Sequence, residues 1–151
     1  MKVVPTLLTL VLILIVQILP ANEKKFYSIN TLSGVSIRET RTVCEDKDGF
    51  IWTASKSGVS RITNGDYRHY NLPTEASDIL YIDLAYRDGL LFAYTANAQI
   101  FRYNPVLDKF EMVVNIRKVL NNSYIAISMI ELVSADEIWV ATSAGLYLYQ
   151  H

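Results

Sequence analysis

Asp48-Gly-Phe-Ile-Trp52-Thr-Ala-Ser-Lys-Ser-Gly58-Val-Ser-Arg-Ile62 is the stretch that decides the fold. Asp48-Gly49 is a tight-turn dipeptide, since glycine accepts the positive φ that such turns require. Residues 50–54 are apolar almost without interruption, as a strand covered on both faces must be. Gly58 marks a second turn, and residues 59–62 open another strand. The same order recurs at Asp88-Gly-Leu-Leu-Phe92-Ala-Tyr-Thr-Ala-Asn-Ala-Gln-Ile-Phe-Arg-Tyr103 and at Asp136-Glu-Ile-Trp139-Val-Ala-Thr-Ser-Ala-Gly145-Leu-Tyr-Leu-Tyr149. The aromatic anchors Trp52, Phe92 and Trp139 lie 40 and 47 positions apart. Short strands recurring at a period of roughly 40–50 residues are the signature of β-propeller blades.

Outward from these anchors, the first unit predicts strands over 41–45, 50–55, 59–62 and 66–71. Asn64-Gly65 supplies its last turn. The second unit runs from about 79 to 114, with Arg87-Asp88-Gly89 and Asn104-Pro105 as turns. The third starts near 126 and stops at 149, before an outer strand. Outer strands, partly solvated, mix polar with aromatic residues, as residues 67–70 and 109–113 do. One helical turn is expected within 114–122. The segment Lys25-Phe-Tyr-Ser-Ile29 precedes the first blade and has the character of a strand that completes a last blade from outside. The fold class is therefore all-β: about three four-stranded antiparallel blades of an incomplete propeller (37–73, 79–116, 126–149), preceded by an apolar signal or anchor helix. A ring needs typically 4–8 blades, so further blades or another copy of the chain are expected partners. Unpaired strand edges at both ends favour such pairing.

Residues 3–19 are apolar, follow Lys2 and precede Pro20-Ala21, the layout of a secretory signal peptide cleaved after Ala21. Uncleaved, the same segment sits at the short limit for a spanning helix. Residues 1–21 are thus a signal peptide or N-terminal anchor, 22–151 the partial propeller, and the location periplasmic or exported. The 14 basic and 15 acidic residues give a net charge of −1 and are well mixed, so no nucleic-acid partner is expected. The single cysteine, Cys44, excludes an intrachain disulfide and reads as a small buried hydrophobe.

The run 43–62, with Gly65-Asp66, Tyr67 and Tyr70, resembles the two-component regulator propeller repeat. Asp48-Gly49, Trp52, Thr53, Ser55, Gly58 and Arg61 match its pattern in the first unit. In the third, Asp136, Ile138-Trp139, Ala141-Thr142 and Gly145-Leu146 match. Leu32-Ser-Gly-Val-Ser36 is similar to the stretch leading into the first blade of such proteins. The second unit departs from the pattern: Phe92 stands for Trp, and Ala98 or Gln99 stands where Gly belongs. The resemblance covers roughly 26–149. It implies the periplasmic sensor region of hybrid histidine kinases, especially those of gut Bacteroidetes that control glycan use. The family's kinase, receiver and DNA-binding parts are not found in this sequence, so the chain itself is not expected to be an enzyme.

Individual residues add little chemistry. The repeat anchors Asp48, Gly49, Trp52, Gly58, Asp88, Gly89, Phe92, Asp136, Trp139 and Gly145 are structural candidates; no catalytic or metal-binding residue and no cofactor is expected, and ligand-binding residues stay unassigned. Glu45-Asp-Lys-Asp48 is acidic beside a glycine, yet a calcium loop needs oxygen ligands where Phe50, Ile51 and Trp52 stand, so it reads as a hairpin. Trp52 and Trp139 repeat in one slot, which argues for packing between blades over service as sugar platforms. Tyr81, Tyr86, Tyr94 and Tyr124 are candidates to offer rings and hydroxyls at a propeller mouth. His69 is expected on an outer strand without a catalytic partner, and Arg61 and Arg102 at a blade rim. The leading function is a non-catalytic, exported sensor segment that contributes to detecting an extracellular small molecule, an oligosaccharide, and signals to a separate histidine kinase. One alternative is a propeller-based polysaccharide lyase or glycosidase, drawing on Asp78, Asp83 and Glu131. Another is a structural or interaction module, or a remnant.

Overall fold

The computed structural model describes residues 24–29, 39–63, 65–74 and 81–150. The expected signal or anchor helix, Leu32–Ser36, Asn64, Asp78 and His151 lie outside the described residues. Among those described, no helix is long and apolar enough to cross a membrane.

Three antiparallel meanders follow one another along the chain. The first is β1 (Thr42–Glu45), β2 (Ile51–Ser55), β3 (Gly58–Thr63) and β4 (Asp66–Tyr70), paired in that order. The second is β5 (Ile82–Arg87), β6 (Leu90–Thr95), β7 (Gln99–Asn104) and β8 (Lys109–Asn115). A short helix, α1 (Ile116–Val119), leads to the third, β9 (Ile127–Leu132), β10 (Glu137–Thr142) and β11 (Gly145–Gln150), which has three strands among the described residues. The helical turn falls inside 114–122, started by Asn115, whose side chain accepts the Lys118 backbone N–H. Such a cap satisfies one of the donors that a helix start leaves open.

The turns form as their residues dictate. Asp88 (φ 50°) and Gly89 (φ 83°) are both left-handed, the two-residue connection that matches strand twist. Between β1 and β2 the loop is longer. Asp46 Oδ1 accepts the backbone N–H groups of Asp48 and Phe50 at 2.9 and 3.0 Å, and Oδ2 accepts Trp52 Nε1–H at 2.6 Å. Asn104 Oδ1 accepts from Val106 and Leu107 in the Asn-Pro turn, a side chain standing in for backbone. In the degenerate second unit Ala98 takes φ 60° where the first unit has Gly58. Its N–H reaches Thr95 O at 3.0 Å, and the turn from β6 to β7 has three residues, 96–98, against two in the first unit.

The sheets stack face to face, with β5 set beside both β1 and β9. Call the face turned toward the next sheet in chain order the leading face. Trp52, Ala54, Val59 and Tyr70 on the leading face of the first sheet meet Leu84, Leu91, Ala93, Phe101 and Phe110 of the second. Phe92, Tyr94 and Ile100 on the leading face of the second meet Ile130, Leu132, Ile138 and Val140 of the third. The second sheet is covered on both sides, so every residue of β6 after Leu90 is buried. Stacked meanders with their first strands side by side are the arrangement of propeller blades.

Trp52, Phe92 and Trp139 occupy one slot, each on the leading face, but they do not share one environment. Trp52 and Phe92 are 1% and 0% exposed, whereas Trp139 is 40% exposed. The packing of Trp139 against a following blade is thus left open among the described residues. The physical reason is that no described residues form a sheet over the leading face of the third sheet. For the same reason β10 alternates instead of being apolar throughout: Ile138 and Val140 are buried and Trp139 is not. Met129, Leu146 and Leu148 share the open face with it, at 58%, 65% and 42% exposure.

Candidate functional site

The meander order puts residues 41, 81 and 126 at one end of the stack, where each first strand begins. Residues 46–50, 88–89 and 133–136 lie at the opposite end. The two ends carry different chemistry.

At the first end Asp83 is nearly buried and accepts from Arg41 Nε at 3.2 Å, Arg41 Nη2 at 3.3 Å and Thr42 Oγ1 at 2.7 Å. This joins the first strands of the first two sheets. The Arg41 guanidinium lies 4.3 Å from the centre of the Tyr81 ring, a cation–π contact. The Arg41 side chain remains half exposed. Hydrogen bonding to Asp83, and the charge of that carboxylate, hold the Arg41 proton more firmly than usual. Tyr94 lies beneath, buried; its phenol is pushed up to about 12 by burial first and by Asp83 second. The cluster presents a fixed cation, a satisfied carboxylate and an aromatic face, groups that suit hydroxyl-rich or anionic small molecules.

Both ends of β5 are also tied to neighbouring sheets. Tyr81 Oη donates to Ile127 O at 2.7 Å, while at the far end Tyr86 Oη accepts the Lys47 N–H at 2.8 Å. Arg87 Nη1 donates to Leu132 O at 2.7 Å. Of the four tyrosines read as ligand candidates, Tyr81 and Tyr94 belong to the Arg41 cluster. Tyr86 has its hydroxyl engaged at the other end. Tyr124 is 90% exposed on the loop before β9.

The seam between the first two sheets is closed further out by Asp108, a residue that sequence reasoning missed. It accepts from Tyr70 Oη at 2.8 Å and Tyr103 Oη at 2.6 Å, pairs with Arg68, and lies 3.7 Å from Arg61. Burial works to raise the Asp108 pKa, but the two phenols and two guanidinium groups outweigh it and leave it lowered. Burial and the Asp108 carboxylate raise the Tyr70 and Tyr103 phenols in turn. The only hint in the sequence was Asp108 in a turn, where it takes φ 48°. Arg61, expected at a blade rim, donates to Tyr103 Oη at 3.1 Å and lies over the Phe50 and Trp52 rings. Arg102 is exposed on β7.

His69 is exposed, as expected, yet Ser60 Oγ and Tyr67 Oη both lie 3.3 Å from its Nδ1, and Nε2 lies 3.1 Å from Ser57 O. The hydroxyl of Ser60 was not foreseen there. Among the described residues no carboxylate orients the ring, as a nucleophilic triad requires. Thr53, opposite Ser60, keeps Oγ1 buried without a hydrogen bond. Glu131 pairs with Arg87 at 3.3 Å, far along the strand from Asp83. Asp46 is spent on its own hairpin, as the turn reading of that acidic run requires. Among the described residues no three His, Cys, Asp or Glu side chains group to hold a metal ion. Cys44 is half-buried in the first seam, its thiol pushed up to about 11 by burial and then by Asp46.

Two inter-sheet hollows lie toward the far end. One of about 340 Å³ is bounded by Asp46, Lys47, Trp52, Tyr86 and Asp88. A larger groove of about 530 Å³ runs between the second and third sheets, beside Arg102, Glu111, Val113 and Tyr149.

No protein-family model matches this chain, and no curated protein does. Solved structures do. The extracellular domain of a protein described as the hybrid two-component system BT3049 from B. thetaiotaomicron is 25% identical over 78% of this chain, with a TM-score of 0.58. The extracellular domain of BT4673 from the same organism, described once as a hybrid two-component and once as a one-component system, is 19% identical. Its two structures give TM-scores of 0.64 and 0.66 over 81% and 88% of this chain. This chain spans only 15%, 16% and 18% of the chains it matches. The solved structures that it resembles are thus described as extracellular domains of two-component systems and, once, of a one-component system; two-component systems are the group to which its repeats are similar.

Proposed function

We propose that this chain is a non-catalytic sensor segment of a two-component regulatory system, exported to the periplasm, that contributes to detecting an extracellular small molecule of the oligosaccharide class. The observation that carries this reading is the likeness of its three sheets to extracellular domains of two-component systems. Residues 1–21 act as its export signal or anchor, and 22–151 as blades over 37–73, 79–116 and 126–149. The ligand contacts the end of the stack where the first strands begin, at Arg41, Asp83 and Tyr81, and the signal passes to a histidine kinase outside this chain. The repeat anchors Asp48, Gly49, Trp52, Gly58, Asp88, Gly89, Phe92, Asp136, Trp139 and Gly145 hold the blades and do not touch ligand.

Isothermal titration of the chain with a panel of plant and host oligosaccharides tests this. Saturable binding that Arg41→Ala weakens about tenfold or more, the loss of one charged hydrogen-bonding group, supports it. Binding indifferent to Arg41→Ala moves the site elsewhere, and hydrolysis or elimination of the sugar overturns the non-catalytic reading.

A further inference from the structure

The Arg41 guanidinium is held on one edge and one face, and its remaining edge is open. The edge shared by Nε and Nη2 is given to Asp83, with Nε 3.2 Å from Oδ1 and Nη2 3.3 Å from Oδ2. One face lies 4.3 Å from the centre of the Tyr81 ring. Tyr81 is fixed in turn, because its hydroxyl donates to Ile127 O at 2.7 Å. A guanidinium carries five N–H donors in a rigid plane, and Asp83 engages only Nε–H and one on Nη2. The outer edge, formed by Nη1 and the second N–H of Nη2, donates to no described residue, and half of the side chain is exposed.

What surrounds that edge decides what it takes. Asp83 is only 8% exposed, and both of its oxygens already accept: Oδ1 from Arg41 and from Thr42 Oγ1 at 2.7 Å, Oδ2 from Arg41. The Tyr81 hydroxyl has placed its proton on Ile127 O. The cluster therefore meets a ligand with N–H donors, and its carboxylate acceptors are occupied. A sugar hydroxyl arriving at the edge brings a proton for which no carboxylate waits. A carboxylate brings two acceptor oxygens and no proton, spaced to receive two parallel N–H donors. Asp83 offsets part of the Arg41 charge at short range, so discrimination comes from the two directed bonds more than from long-range attraction.

We propose that, given ligand contact at this end of the stack, the outer edge of Arg41 takes the carboxylate of a uronic acid residue, so that the oligosaccharide recognised is an acidic one. Asp83 and Tyr81 set the plane in which that edge is presented, and Thr42 holds Asp83. A receptor group fixed before the ligand arrives loses little side-chain freedom on binding.

Isothermal titration of the full chain tests this with oligosaccharides containing galacturonate or glucuronate. Each is compared with the same oligosaccharide after its carboxyl groups have been reduced to primary alcohols. An acidic form is expected to bind about tenfold tighter or more than its reduced counterpart, the discrimination of one charged bidentate contact. Arg41→Lys keeps a cation beside Asp83 and loses the fork. It is expected to erase most of that preference while the reduced form binds as before. Equal affinity for acidic and reduced forms, with Arg41→Ala weakening both, overturns the carboxylate assignment and leaves this end as the ligand contact. A preference that Arg41→Lys leaves whole overturns the role of the fork. Sulfated neutral oligosaccharides that bind as tightly as the uronates overturn the choice of carboxylate. Binding of no oligosaccharide, acidic or neutral, overturns the ligand contact itself together with the uronate.

Discussion

Gly58 (φ 144°) and Gly145 (φ 137°) open β3 and β11 with similar φ, and a Cβ tells their surroundings apart. At Gly58 alanine meets both an unfavourable φ and the backbone oxygen of Tyr70. At Gly145 it meets the unfavourable φ alone. Gly58→Ala is expected to cost about 3 kcal/mol or more, and Gly145→Ala about 1–2 kcal/mol, read from urea midpoints. Equal costs would mean that β4 yields freely. Asp108 carries a second residue-scale prediction. Its pKa is lowered in the fold, so its contribution is present above the unfolded-state carboxylate pKa and is lost as pH falls through the folded one. Asp108→Asn is expected to cost about 2 kcal/mol at pH 7. The gap from the unaltered chain should close in acid, below the usual carboxylate range. A constant gap from pH 7 to pH 3 would assign the effect to shape instead of charge.

Strands and turns were largely legible in the sequence, because their determinants are local. Asp-Gly dipeptides and unbroken apolar runs place β1 to β4 within a residue of the expected bounds. The exception is informative. Ala98 takes a positive φ in the second unit, and no local rule selects an alanine for it. What stayed hidden were groups joined by the stack and distant in the chain: Asp108 with Tyr70 and Arg41 with Asp83. Each pair lies on separate strands or separate sheets, and nothing in the spacing announces it. The Asp46 hairpin sits between these cases, local in sequence yet fastened to a core ring. Asp46→Ala is expected to cost about 2–3 kcal/mol by leaving Trp52 Nε1–H without its acceptor, measured by chemical denaturation. Asp46→Asn, which keeps an acceptor oxygen, should recover part of that loss.

At the scale of the molecule, the two tryptophans report on opposite sides of the stack. Iodide is expected to quench only one class of emission, and Trp139→Phe should remove that class while leaving the protected Trp52 signal. Trp52→Ala should cost about 3–5 kcal/mol, as large aromatic deletions in a core do, and Trp139→Ala clearly less. If both emissions quench alike, the first seam is open in solution. The direction of coverage has a consequence of its own. Trp52 waits on residues as distant as Phe110, and Phe92 on residues as distant as Val140; the sheet that covers each is made after it. During synthesis, which delivers the chain from its N-terminus, every new meander therefore leaves the ribosome with its largest ring bare and acts as a lid for its predecessor. The interval in which each meander is vulnerable to chaperone capture or misassociation is set by the time taken to translate the one after it.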